Sequence, residues 1–109
     1  MLKKNTSLQN KTILITGAAG FIGSNLVLEL LRTQSSIKII GIDNMNDYYD
    51  VSIKNYRLSE IETEAKNHPG STWNFIKGSI ADKATIDFLF DNYKPSIGVN
   101  LAAQAGVRY

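Results

Sequence analysis

Cysteine is absent from the 109-residue chain, which excludes disulfides, thiolate nucleophiles and cysteine-ligated metal sites within it. Histidine is nearly absent too. His68, the single one, lies in Asn67-His68-Pro69-Gly70, a turn sequence, so a solvated loop histidine is expected there rather than a metal ligand or a base. No sign of charge dominates: 12 Lys and Arg stand against 10 Asp and Glu, for a net charge of +2, with acids and bases interspersed. Neither a nucleic-acid surface nor a polybasic membrane anchor is therefore expected. No apolar run approaches the roughly 18 residues of a membrane span. The stretch through Asn10 is polar and lacks the apolar segment of a signal peptide, so a cytoplasmic location is expected. A hydrophobic content of 43% with 20% charged residues is that of a globular chain with a core.

What is present is organised around Thr12-Ile13-Leu14-Ile15-Thr16-Gly17-Ala18-Ala19-Gly20-Phe21-Ile22-Gly23. A β-branched apolar run stops at a glycine, two more glycines follow at three-residue spacing, and an apolar helical pattern continues through Leu31. Strand, glycine turn and helix in this order suit the binding of a pyrophosphate, because a helix N-terminus offers unpaired N–H groups and a partial positive charge. Gly17 would allow the tight turn, Gly20 the approach of the phosphates to the backbone, and Gly23 close packing of the helix on the sheet. The spacing is one residue longer than G-x-G-x-x-G, and an ordinary strand-to-helix turn is the plain alternative. A second signal favours the functional reading. The apolar run Ile37-Lys38-Ile39-Ile40-Gly41-Ile42 ends on Asp43, about 20 residues after the last glycine, where a carboxylate binding the adenosine ribose is expected. Such an acid repels a 2′-phosphate and so favours NAD over NADP. No Lys or Arg adjoins it in the sequence, since Ala18 and Ala19 fill the glycine loop and Asn44 and Met45 follow the acid.

Taken in order, residues 1–11 read as a polar lead-in and residues 12–109 as part of one nucleotide-binding domain. The first helix, from Phe21 to about Arg32, has Ile22, Leu26 and Leu30 at four-residue spacing, with Phe21, Val27, Leu28 and Leu31 widening a face expected to be largely buried. A strand from Ile37 to Ile42 leads into a polar loop from Asp43 to Asp50. A helix over Val51 to Lys66 follows, with Val51, Leu58, Ile61 and Ala65 inward, Lys54, Arg57, Glu60 and Glu64 pairing on the wet side, and Glu60, Glu62 and Glu64 a solvated face rather than a metal site. Trp73 to Lys77 reads as a third strand. Asp82 is placed to cap a helix through Tyr93, in which Ile86, Leu89, Phe90 and Tyr93 form one face and Lys94-Pro95 ends the element. A fourth strand runs from Ile97 to Leu101. This alternation predicts an α/β fold: a Rossmann-type parallel sheet with flanking helices and four strands in the order 3-2-1-4. Its ligands would bind at the carboxyl ends of the strands, at Gly17, Asp43, Ser79 and Ala102.

The residues Thr16 to Gly23, Gly41-Ile42-Asp43-Asn44 and Leu101-Ala102-Ala103 resemble the extended short-chain dehydrogenase/reductase family, the NAD-dependent sugar epimerases and dehydratases. Asp43 to Val51 and Leu101 to Tyr109 are similar to the nucleotide-sugar epimerases that act on UDP-glucuronate at C4. The resemblance implies NAD as cofactor and a nucleotide-sugar substrate, with hydride removed from C4 and returned to the other face of a 4-keto intermediate. It implies further that Gly17, Gly20, Phe21 and Ile22 hold the pyrophosphate, Asp43 and Asn44 the adenosine ribose, and that Ser79 and Ile80 lie by the adenine. Leu101, Ala102 and Ala103 would lie along the nicotinamide half, and Arg108 near the sugar. A homodimer of the full-length form is compatible with the family.

Three departures from the family pattern stand out. Ser79 occupies a position where many members have aspartate, and Asn100 one where histidine usually precedes Leu-Ala-Ala. The catalytic Tyr-x-x-x-Lys is missing: Tyr48, Tyr49, Tyr56 and Tyr93 are followed four residues later by Ser52, Ile53, Glu60 and Ile97, and Tyr109 is last. No catalytic residue is therefore assigned, and the 109 residues alone are expected to be inactive. A sugar-nucleotide dehydratase or reductase is the alternative on the same scaffold, and a non-catalytic NAD-binding module the alternative of another class.

Overall fold

The β-branched runs become strands and the amphipathic runs become helices in strict alternation. A computed structural model of the protein describes residues 10–45 and 51–101. Its elements are β1 (Thr12–Thr16), α1 (Phe21–Thr33), β2 (Lys38–Asp43), α2 (Val51–Lys66), β3 (Thr72–Lys77), α3 (Lys83–Tyr93) and β4 (Ile97–Asn100). The four strands form one parallel sheet in the order β3-β2-β1-β4. This is the expected order, and Asp43 stands as the last residue of β2, in register with Lys77.

The two-residue period of the strands divides the core between the two faces of the sheet. Ile13, Ile15 and Ile39 meet Val27, Leu28, Leu31 and Ile61 from α1 and α2, whereas Leu14, Ile40 and Ile42 meet Leu89 of α3. β1 and β2 lie inside the sheet and are buried almost throughout, as parallel strands covered on both faces are. Gly41 serves this packing directly. A Cβ there would lie 2.3 Å from Cη2 of Trp73 and 2.8 Å from Cβ of Ala18, so the indole occupies the space that a side chain would need.

Two apolar faces differ from expectation. On α1 the buried positions are Gly23, Ser24, Val27, Leu28, Leu30 and Leu31, while Phe21 and Ile22 are 69% and 65% exposed. The close contact of Gly23 with the glycine turn fixes that side of the helix against the loop. On α3, Leu89 is buried and Ile86 and Tyr93 pack beside it, but Phe90 is 49% exposed, one residue and 100° around the helix from Leu89. Asp82 caps α3 as expected, accepting from the Ala84 N–H at 3.2 Å, and Lys94 closes it in the left-handed region at φ 47°.

The charges of α2 also differ from a self-paired wet face, because they reach other elements. Glu64 accepts from Arg32 Nε of α1 at 3.2 Å and lies 2.8 Å from Nε2 of His68 in the following turn. His68 is thus a hydrogen-bond partner of Glu64, with 30% of its side chain exposed, rather than a freely solvated loop residue. The hydrogen bond from His68, helped by Arg32, holds the Glu64 carboxyl below its ordinary value of 4.5. A depressed carboxylate contributes stability that is present above its unfolded-state value and lost as pH falls through the folded-state value. Glu64→Gln should therefore be less stable than the parent at about pH 6, with the gap narrowing as the pH is lowered below the ordinary carboxylate range, as urea midpoints across that range would register.

Candidate functional site

The first βα connection is built by hydrogen bonds between the glycine turn and the end of β2. Gly17 turns in the left-handed region at φ 70°, which its missing Cβ allows. Its N–H donates to Ile42 O at 2.8 Å, the Ala18 N–H reaches the same oxygen at 3.3 Å, and the Gly20 N–H closes the turn on Gly17 O at 3.0 Å. The three glycines carry unequal steric constraints. A Cβ on Gly23 would lie 2.1 Å from Gly17 O and 2.9 Å from its carbonyl carbon, whereas a Cβ on Gly20 would lie 3.3 Å from the same oxygen. Gly23 is thus required by packing, while Gly20, at φ −75°, is under a milder steric constraint.

Helix α1 starts at this turn with no side-chain cap and no acid in its first turn. Nothing in that turn offsets the positive end of the helix dipole, and the exposed Phe21 and Ile22 flank it. An anion with a flat surface beside it suits this end of the sheet. A diphosphate joined to aromatic and ribose groups is such a ligand.

Asp43 stands across from the turn, 6% exposed. Oδ2 accepts from the Ala19 N–H at 3.1 Å, and Oδ1 accepts from the Met45 N–H at 2.8 Å and from Lys54 Nζ at 2.9 Å. A cation therefore adjoins Asp43, contrary to the reading from the flanking sequence. It comes from the first turn of α2, eleven residues downstream, and inspection of nearest neighbours in the chain does not reveal it. Arg57, one turn further along α2, donates from Nη1 to Ala19 O at 3.3 Å, and its guanidinium lies 5.8 Å from the Phe21 ring centroid, at cation–π distance. Their spacing of three residues, which puts both on one side of the helix, was the available signal.

At the other strand ends, Asn44 follows Asp43 on the surface. Ser79 follows β3, its Oγ accepting from the Ala81 N–H at 3.0 Å, and Ile80 packs on the α3 side of the core. After β4, the Leu101 N–H donates to Thr16 O at 3.2 Å and to Thr16 Oγ1 at 3.0 Å, while the Thr16 hydroxyl donates to Asn100 Oδ1 at 2.5 Å. Asn100 thus ties the ends of β1 and β4 together by a side-chain hydrogen bond. Ala102, Ala103 and Arg108 lie outside the described residues, as do Asn46 to Asp50. Gly17, Gly20, Phe21, Ile22, Asp43 and Asn44 share one end of the sheet, with Ser79 and Leu101 at the ends of neighbouring strands. Among the described residues no cluster of acids and histidine is arranged to hold a metal, and no helix is long and apolar enough to cross a membrane.

The sequence pattern of the GDP-mannose 4,6-dehydratase family matches residues 14–109. Protein CapI of Staphylococcus aureus is 43% identical over 97 residues, covering 89% of this chain and 26% of CapI. UDP-glucuronate 4-epimerase 3 of Arabidopsis thaliana is 39% identical over 98 residues, 90% of this chain and 21% of the plant protein. The chain thus spans about a quarter of the length of these relatives. Among solved structures, dTDP-glucose 4,6-dehydratase from Bacillus anthracis in complex with NAD superposes with a TM-score of 0.69 at 29% identity, covering 87% of this chain and 27% of the enzyme.

The two glycine contacts separate binding from folding. Gly20→Val should cost about 1–2 kcal/mol of stability, the upper part of the range for an N-cap change, while removing the open backbone that a phosphate would approach. Gly23→Ala should cost more, about 3 kcal/mol, the upper end of the range for overpacking, because its Cβ meets rigid backbone. Denaturant unfolding of the two variants beside the parent checks the ordering.

Proposed function

The chain belongs to the GDP-mannose 4,6-dehydratase family, and on that premise we propose that it is the NAD-binding N-terminal portion of an enzyme that modifies a nucleotide sugar. The observation that carries the proposal is the pairing of an uncapped helix start with a buried carboxylate, joined by the Ala19 N–H to Asp43 Oδ2 bond of 3.1 Å. One group suits a diphosphate and the other a ribose diol. In this reading the backbone at Gly17, Gly20, Phe21 and Ile22 receives the pyrophosphate, and Asp43 and Asn44 receive the adenosine ribose. Ser79 and Ile80 border the adenine. Leu101, Ala102 and Ala103 border the nicotinamide half, and Arg108 lies toward the sugar. NAD, when bound, takes up and returns hydride, while the protein positions it.

The finer reading is a 4-epimerase acting on a UDP-glucuronate-like substrate. It draws on the likeness to the plant relative, named a UDP-glucuronate 4-epimerase, over 90% of this chain. Oxidation at C4 also requires loss of the hydroxyl proton, so a base must stand within hydrogen-bond reach of that oxygen. These 109 residues contain no Tyr-x-x-x-Lys; in this reading the pair belongs to a part of the enzyme outside them. A 4,6-dehydratase is the second reading, favoured by the family matched and by the Bacillus enzyme.

The test is incubation of the gene's full-length product with NAD and UDP-glucuronate, with assay for UDP-galacturonate. Turnover of this substrate is expected. Formation of a 4-keto-6-deoxy product from dTDP-glucose or GDP-mannose instead would favour the dehydratase. The 109-residue piece should show no turnover above a no-protein control. In the full-length protein Asp43→Ala should weaken NAD by about 1.5–3 kcal/mol, the worth of a charge-assisted hydrogen bond, measured by calorimetry.

A further inference from the structure

Asp43 is the centre of a charge network. Its side chain is 5% exposed and that of Lys54 13% exposed, with Nζ 2.9 Å from Oδ1. A carboxylate accepts at about four lone-pair positions, and three are taken here, two of them on Oδ1. Among the described residues Oδ2 accepts from Ala19 alone. The negative charge of Asp43 is therefore compensated from the side of α2, and Arg57 adds a second cation at the Ala19 carbonyl of the same loop.

We propose that Lys54 is a specificity-determining residue of the dinucleotide site, setting how strongly Asp43 discriminates NAD from NADP. The proposal rests on the reading of this end of the sheet as an NAD site. An unpaired carboxylate repels a ribose 2′-phosphate with its full charge, and the repulsion is strong because the site is largely withdrawn from water. With Lys54 held against it, the pair is neutral and the field at the ribose is weaker. Lys54 thus moderates the preference that Asp43 alone would impose. It also fixes which carboxylate oxygen remains for a ribose hydroxyl, because the ammonium and the Met45 N–H together occupy Oδ1.

The full-length gene product and its Lys54→Gln, Lys54→Met and Lys54→Arg variants would be titrated with NAD and with NADP, and the ratio Kd(NADP)/Kd(NAD) compared. Glutamine keeps a donor for Asp43 without the charge, so it decides the matter if methionine, which leaves the buried acid unpaired, disturbs folding. The ratio should rise by about tenfold in the glutamine and methionine variants and stay within about twofold of the parent in the arginine variant. Equal weakening of both cofactors, with the ratio unchanged, would make Lys54 a structural prop and overturn the proposal. A fall in the ratio would also overturn it. A parent that binds neither cofactor would instead overturn the reading of the site itself, and this inference with it.

Discussion

The hydrogen bond from the Ala19 N–H to the buried Asp43 carboxylate joins the two halves of the candidate site. A carboxylate withdrawn from water must be supplied with donors, and here they come from the glycine turn, from the backbone after β2 and from α2. The turn in turn depends on β2 through the Gly17 and Ala18 N–H bonds to Ile42 O. Loop and strand end therefore form one unit, held together by these hydrogen bonds.

The position of α2 follows from the same constraint. Its apolar contribution to the core is small, with Ile61 its one fully buried residue among the described ones. Its charged side chains do more of the fixing: Lys54 to Asp43, Arg57 to Ala19 O and Glu64 to Arg32 and His68. Most of these pairs lie partly exposed, where an ion pair adds modest stability, so their value lies in orientation. The Lys54–Asp43 pair is the exception, since its burial makes the loss of either partner costly. A helix that is weakly amphipathic by composition is thus set against the sheet by polar contacts at both ends.

The alternation of strands and helices, the strand order and the glycine turn were legible because each rests on local pattern. β-branched runs favour strands, Asp82 and Lys94-Pro95 mark the limits of α3, and parallel βαβ units permit few topologies. The failures were also local in origin. Ile22 and Phe90 fit an apolar helical face by spacing, but whether a face is covered depends on what packs there, and among the described residues nothing covers them. His68 looked solvated because its partner Glu64 sits in the preceding helix, one turn back, a geometry that appears only once the helix and the turn join.

By itself, the sequence determined that a glycine turn would stand between a buried strand and a helix, and that an acid would close the second strand. Backbone sterics and side-chain periodicity act over a few residues, and such features can be read without knowing the fold. The tertiary structure alone decided what surrounds that acid. The distance between Asp43 and Lys54 is set by how the chain after β2 returns α2 to the sheet, so the charge at the candidate ribose site depends on three-dimensional packing rather than on adjacent letters.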